Sequence, residues 1–217
     1  MYIPAYFSEP DGQRVATLIE RYGFATLLTP AGGAGDHMHI THAPLMLDRE
    51  RGPQGTLVGH LARANPHASA LQDGTITMAL FHGPHGYVSP SWYDAPGVPT
   101  WNYVAVHVHG TVRRLDDAEA KWQIIARLSA QYEANSANPW SPELQKEQWW
   151  KLLDAIVGFE ISITAIDAKF KLSQNRLPQD QDNVVTRFAA DAHPDSQAMA
   201  ALMRENLARK SPAPEKR

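Results

Sequence analysis

The stretch that decides the fold is Tyr103-Val104-Ala105-Val106-His107-Val108-His109-Gly110-Thr111-Val112-Arg113-Arg114-Leu115. Valine recurs at alternate positions, the period of a pleated strand rather than of a helix. Working outward, the same period recurs at Phe24–Thr29, Met38–Leu47, Gly55–Ala62, Thr75–Phe81 and Gly158–Ile166. In the last of these Phe159, Ile161, Ile163 and Ala165 share one face, and Glu160, Ser162 and Thr164 the other. Turn-forming clusters punctuate the runs: Ala31-Gly32-Gly33-Ala34-Gly35, read as a flexible hairpin, Arg51-Gly52-Pro53, and Gly83-Pro84-His85-Gly86.

Helical spacing is confined to five places. Ser8 as cap and Pro10 in the first turn open a helix carrying Val15, Leu18, Ile19 and Tyr22 and stopped by Gly23. Asn65-Pro66 opens a short helical segment through Leu71. Asp116-Asp117-Ala118-Glu119 starts a helix with Trp122, Ile125, Leu128 and Tyr132 on one face. After Pro139, Ser141-Pro142-Glu143 starts another with Trp149, Trp150, Leu152 and Leu153. A polar stretch, Lys171–Asp182, leads to a helical C-terminal region interrupted near His193-Pro194. Strands and helices therefore do not alternate as βαβ units. The expectation is a mainly β fold, an antiparallel barrel with helical attachments, over residues 1–210 as a single domain, with a mobile tail over 211–217.

The chain has 217 residues with 20 Lys+Arg against 23 Asp+Glu, a net charge of -3 that argues against a wholesale grip on nucleic acid. It has no cysteine, which excludes disulfides, thiolate metal sites, iron–sulfur clusters and cysteine nucleophiles. No apolar run reaches the roughly 18 residues of a membrane span. The opening Met1-Tyr2-Ile3-Pro4 lacks the form of a secretory signal, so the expected location is cytoplasmic.

Three groups of residues carry possible chemistry. All the histidines but His193 fall between His37 and His109, with His37/His39 and His107/His109 spaced to share a strand face and His82/His85 flanking a turn. Such pairs suit zinc, copper or a haem iron, yet equally suit half-buried strand positions bonded to backbone or water. No acidic third ligand stands at a recognisable spacing, so no metal site is assigned. Ser89 and Ser91 flank Pro90 outside any nucleophile elbow, and no catalytic residue is assigned. Gly32-Gly33-Ala34-Gly35 leads into a strand rather than a helix, which excludes a Rossmann or P-loop turn. Arg63 at a strand end, with Lys171 and Arg176 in a polar connector, could hold an anion or be solvated cations. Tyr87, Trp92, Tyr93, Trp101 and Tyr103, interleaved with prolines, suit a cover for something flat and apolar, or core filling.

Five ordered motifs carry a resemblance: Met1-Tyr2-Ile3-Pro4, His60-Leu61-Ala62-Arg63-Ala64-Asn65-Pro66, Gly86-Tyr87-Val88-Ser89-Pro90-Ser91-Trp92-Tyr93, Pro99-Thr100-Trp101-Asn102-Tyr103, and Phe170-Lys171-Leu172-Ser173-Gln174-Asn175-Arg176. From residue 1 to about residue 207 the chain resembles the PaiB-type family of FMN-binding negative transcriptional regulators. The resemblance implies a split β-barrel like that of pyridoxamine-phosphate oxidases and small flavin reductases. It implies a homodimer with FMN in two symmetric clefts between subunits, and repression of protease and sporulation genes. It places the flavin phosphate at His60, Leu61, Ala62 and Arg63, with Asn65 helping. Lys171, Gln174 and Arg176 then approach either the phosphate or the polar edge of the ring, and Trp101 and Asn102 cover the ring. DNA as a partner follows from the resemblance only, because Arg113-Arg114 sits beside Asp116-Asp117 and no basic recognition helix is found. Two other functions remain open at this point: an FMN-dependent oxidoreductase, and a haem-binding or haem-utilisation protein using the histidines.

Overall fold

The structure is a computed structural model and describes residues 1–31 and 37–210. In chain order the elements are helix α1 (Gly12–Arg21), strands β1 (Phe24–Pro30), β2 (Met38–Pro44), β3 (Met46–Asp48) and β4 (Thr56–Ala62), helix α2 (Pro66–Ala70), strands β5 (Ile76–Val88) and β6 (Thr100–Leu115), helices α3 (Ala118–Glu133) and α4 (Lys146–Trp150), strand β7 (Ile156–Lys171), and helices α5 (Pro178–Ala190) and α6 (Pro194–Lys210). The Gly-rich hairpin expected at Gly32–Gly35 and the tail from Ser211 lie outside the described residues. None of the described helices is long and apolar enough to cross a membrane.

The seven strands form one sheet in the order β2-β1-β5-β6-β7-β4-β3. Strand β1 runs antiparallel to β2 and β5, and β4 antiparallel to β3 and β7. The two ends of that order, β2 and β3, are consecutive in the chain and joined by Leu45 alone. This is the connectivity of a split barrel, in which an antiparallel sheet curls until its end strands meet.

The chain divides into two compact units. One comprises Met1–Gly12, His82–Ala105 and Ala168–Arg217, and the other Gln13–Phe81 and Val106–Asp167. The second unit buries Leu18, Ile19, Leu27, Leu57, Phe159 and Ile161. Within it the buried carboxylate of Glu160 accepts from Arg113 Nε at 2.5 Å and Arg51 Nη2 at 2.6 Å. Burial raises the pKa of this carboxyl, but the two guanidinium groups outweigh that and hold it below its ordinary range. The first unit packs Phe7, Val88, Phe170, Val184, Phe188 and Met203.

Several boundaries differ from the sequence reading, each for a visible reason. The expected strand Met38–Leu47 divides at Leu45, whose N–H donates to Gly23 O at 2.8 Å, one step beyond the β1–β2 ladder, before β3 turns to pair with β4. The turn expected at Gly83–Gly86 is instead the interior of β5. Gly86 serves close packing there: a Cβ on it would lie 2.5 Å from the Phe188 ring. Ser8 does not cap α1, which begins only at Gly12; its backbone instead bridges Lys169. Asp117 does cap α3, accepting from Ala120 N–H at 3.0 Å. The helical stretch after Ser141 is three short pieces, a 3-10 turn at Pro142–Gln145, α4, and a 3-10 turn at Lys151–Ala155. The interruption near His193 is real and separates α5 from α6.

Gly110 shows how tightly β6 meets β7 in the second unit. A Cβ there would sit 2.4 Å from Ile161 Cγ2 and 2.5 Å from Ser162 O. The second contact is backbone, so no rotamer change relieves it. Gly110→Ala is expected to cost about 1–3 kcal/mol of stability through overpacking, read as a lowered urea midpoint. An unchanged midpoint would contradict the close approach.

Candidate functional site

In the first unit, the end of β5 and the start of β6 form an open groove of about 430 Å³. His82, His85, Trp101, Tyr103 and Ala105 line it, and its surface is mostly apolar. The Trp101 ring is 52% exposed, stands edge-on to Tyr87 at 5.9 Å, and tilts toward His85 at 6.2 Å. An exposed indole beside an apolar trough suits a flat aromatic ligand. The rest of the aromatic run packs within its own unit. Trp92 meets the edge of Phe188 at 5.5 Å, and Tyr93 is covered by the Arg176 guanidinium at 4.4 Å from the ring centre.

Against the same end of β6 stand three cations. Lys169 and Lys171 share a face of β7 at two-residue spacing, and Arg176 follows in the next turn. Lys171 Nζ donates to Thr100 Oγ1 and to Trp101 O, each at 2.5 Å. Lys169 Nζ donates to Tyr2 O at 3.1 Å and lies 5.1 Å from the Tyr103 ring centre. Arg176 Nη1 donates to Pro96 O at 3.2 Å. Among the described residues none of the three pairs with a carboxylate. Burial first, then the charges of Lys169 and Arg176, pull Lys171 below the ordinary lysine range. A lysine so crowded gains from a bound anion. Lys169 was missed in sequence. Its signal was the period-two relation to Lys171, hidden because the expected strand ended at Ile166.

Two of the expected ring and phosphate contacts are occupied inside this unit. Asn102 is buried, donates to Ser173 Oγ at 2.9 Å and to Met203 Sδ at 3.5 Å, and accepts from Ser173 Oγ. Gln174 accepts from Leu172 N–H at 2.7 Å and donates to Phe170 O, which folds the turn on itself. Trp101 is exposed, and Lys171 and Arg176 are half-buried.

The remaining expected residues lie in the second unit, at the end of β4. Leu61 is core, Ala62 is exposed, and His60 is half-buried with Nδ1 unpartnered among the described residues. Burial lowers the His60 pKa. Arg63 is exposed, with Nε donating to Asp154 O at 2.6 Å and Nη2 to Ile156 O at 3.1 Å. These two carbonyls fix the plane of the guanidinium and leave Nη1 free to donate, a pre-oriented anion contact. Asn65 caps α2 by accepting from His67 N–H at 3.0 Å and donates to Thr41 Oγ1 at 3.2 Å.

The histidines do not converge on a metal. Among the described residues no group of three or more His, Asp or Glu could hold one. His82 and His85 are on β5 rather than around a turn, and His37 precedes β2. His109 Nε2 lies 3.8 Å from Asp167. His67 is buried against His39, the rings stacked 5.4 Å apart, with Nδ1 at 2.9 Å from Thr41 Oγ1.

Solved structures of flavoprotein class share this fold. The flavocytochrome Anf3 from Azotobacter vinelandii superposes with a TM-score of 0.57 at 15% identity, covering 78% of this chain and 72% of that one. The FAD and heme binding protein from Mycobacterium smegmatis gives 0.54 at 16% identity, with 76% and 73% covered. Among curated sequences, "Protease synthase and sporulation protein PAI 2" of Bacillus subtilis is 34% identical over 212 residues, 95% of this chain and 98% of that protein. An uncharacterized protein of Emericella nidulans is 31% identical over 202 residues, 76% and 80% of the two chains. Residues 1–165 match the family described as "Putative FMN-binding domain". The chain belongs to this PaiB-type FMN-binding split-barrel family.

His67 gives a pH prediction. Burial, then the neighbouring His39, lowers its pKa from 6.5 to about 4. Between those values the unfolded chain binds a proton that the folded chain refuses, so stability falls as pH drops from 6.5 toward 4. His67→Gln removes that contribution, and its urea midpoint should fall less over this window than that of the parent. Parallel pH profiles would show that His67 does not stay neutral in the fold.

Proposed function

We propose that the chain is a cytoplasmic FMN-binding protein, acting as a homodimer with a flavin-linked regulatory or redox-sensing role. The observation that carries this reading is the juxtaposition on residues 100–105. An apolar groove walled by the exposed Trp101 adjoins three cations that have no carboxylate partner among the described residues. A flat apolar ring with an electron-rich polar edge fits those two features together. Trp101 would cover the ring, and Lys171, Lys169 and Arg176 would face its polar edge, where positive charge favours the electron-richer form. FMN supplies reversible electron transfer when bound. Arg63, held by two carbonyls, is assigned the phosphate, with the backbone of residues 60–62 and the capped Asn65 turn beside it.

The dimer is supported by apolar surface that a single chain leaves in water. Tyr87, Val98, Trp101 and Leu177 are each more than 40% exposed in the first unit. A second copy would cover them. The regulatory role draws on the Bacillus subtilis relative, whose name refers to protease synthesis and sporulation. The net charge of -3 favours control through the bound flavin over a broad electrostatic hold on DNA.

Titrating FMN and riboflavin against two variants tests the assignment. Arg63→Ala should weaken FMN by about 30- to 1000-fold, the loss of a charge-assisted pair worth roughly 2–4 kcal/mol, and leave riboflavin nearly unchanged. Lys171→Ala should weaken both flavins alike, because both carry the ring. Equal weakening of the two flavins by Arg63→Ala would remove it from the phosphate, and an FMN-selective loss in Lys171→Ala would place the phosphate there instead.

A further inference from the structure

Lys121 is a charged residue at a position where an apolar one would fit. With Trp122 and Ile124 it is among the residues that α3 buries, and its side chain is only 2% exposed. A cation so buried is unfavourable unless it is well answered, and replacing such a group by an apolar one of similar size is often neutral for stability. The answering charge is weak. Asp154 Oδ1 lies 3.9 Å from Lys121 Nζ, but that side chain is 99% exposed and water screens the pair. The close partner is a carbonyl, since Lys121 Nζ donates to Leu153 O at 2.8 Å.

That carbonyl belongs to the segment that holds Arg63. The 3-10 turn Lys151–Ala155 leads directly into β7, and two residues take four successive carbonyls at its end. Leu153 O accepts from Lys121, and Asp154 O from Arg63 Nε at 2.6 Å. Ala155 O accepts from the Arg63 backbone N–H at 2.8 Å, and Ile156 O from Arg63 Nη2 at 3.1 Å. The guanidinium plane is therefore set by carbonyls on either side of Ala155. It is oriented only as well as the turn that carries them.

Leu153 O also accepts the Ile156 N–H that closes the turn. That backbone bond satisfies the carbonyl without the lysine, so the fold does not require Lys121 for this purpose. What the lysine adds is a charge-assisted bond from a fixed helix to the middle of the run. Helix α3 is itself held at both sides of this point. Asp117 caps its first turn, and the Trp122 indole N–H donates to Glu143 Oε1 at 2.9 Å.

We propose that Lys121 is a positioning residue for the flavin phosphate: through Leu153 O it holds the turn whose carbonyls aim the Arg63 guanidinium. This rests on the assignment of Arg63 to the phosphate made above. Lys121 is too deeply buried to touch a ligand, so it acts on the phosphate through Arg63. A lysine with a purely structural role would change stability without telling one flavin from the other.

Lys121→Met keeps the apolar stem and removes the charge and the donor. FMN and riboflavin are titrated against the parent, Lys121→Met, Arg63→Ala and the double variant. Lys121→Met should weaken FMN about tenfold, the scale on which the outer partners of a ligand contact act, and leave riboflavin within about twofold. Added to Arg63→Ala it should weaken FMN no further, because no guanidinium is left to aim. In ¹⁵N-labelled protein without flavin, the Arg63 Nε–H signal, identified by its loss in Arg63→Ala, should exchange with water faster in Lys121→Met. If Lys121→Met does not fold, Lys121→Gln, neutral and shorter, carries the same measurements. No FMN-selective loss in the Lys121 variant, losses that multiply in the double variant, or an unchanged Arg63 exchange rate would overturn the proposal. Equal weakening of both flavins by Arg63→Ala would instead overturn the phosphate assignment, and the exchange rate still decides whether Lys121 holds Arg63.

Discussion

Asn102 and Ser173 bond to each other twice inside the first unit, and the chemistry of that unit depends on the pair. Ser173 is the one non-glycine residue at positive φ among the described residues, at 63°. A left-handed serine is unfavourable by about 1–2 kcal/mol, so something must hold it. The buried Asn102 amide does so from β6. Gln174 then closes the turn onto Phe170 O and Leu172 N–H, and Arg176 N–H bonds to Ser173 O at 2.9 Å. The turn fixes where β7 ends, and thereby where Lys169, Lys171 and Arg176 are held against residues 100–103. Three like charges gather there because the backbone is constrained, and Lys171 pays with a lowered pKa.

The second unit uses the same device at smaller scale. Asn65 caps a five-residue helix and reaches Thr41, which also meets His67 Nδ1. Arg63, two residues earlier, donates to two carbonyls at the entry to β7, Asp154 O and Ile156 O. Side chains that look like ligand contacts in a motif thus also do the positioning. In each unit a committed residue, Asn65 or Asn102, stands with a cation, Arg63 or Lys171, that is bonded to the same elements.

The strands were legible because valine and isoleucine alternate along them, and the split-barrel order follows once Leu45 is seen to join its two ends. What the alternation could not show was where long strands continue. Strand β5 runs through Gly83-Pro84-His85-Gly86, residues that signal a turn by composition, because Gly86 is there to admit the Phe188 ring. Strand β7 runs past Ile166 because Ala168 and Phe170 stay buried after the visible pattern lapses at Asp167. The same lapse hid Lys169. In the site, the motifs name segments and not the roles of single residues, since a motif does not distinguish an asparagine that faces a ligand from one that holds a serine in place.

The most direct measurement is the visible spectrum of the purified chain during titration with FMN, followed through the flavin bands near ~370 and ~450 nm. The account predicts a saturable band shift with quenching of flavin fluorescence by Trp101, ending at one FMN per chain. A spectrum equal to that of free FMN at every ratio would contradict it, and so would a sharp haem band formed on adding haem to a protein that ignores FMN.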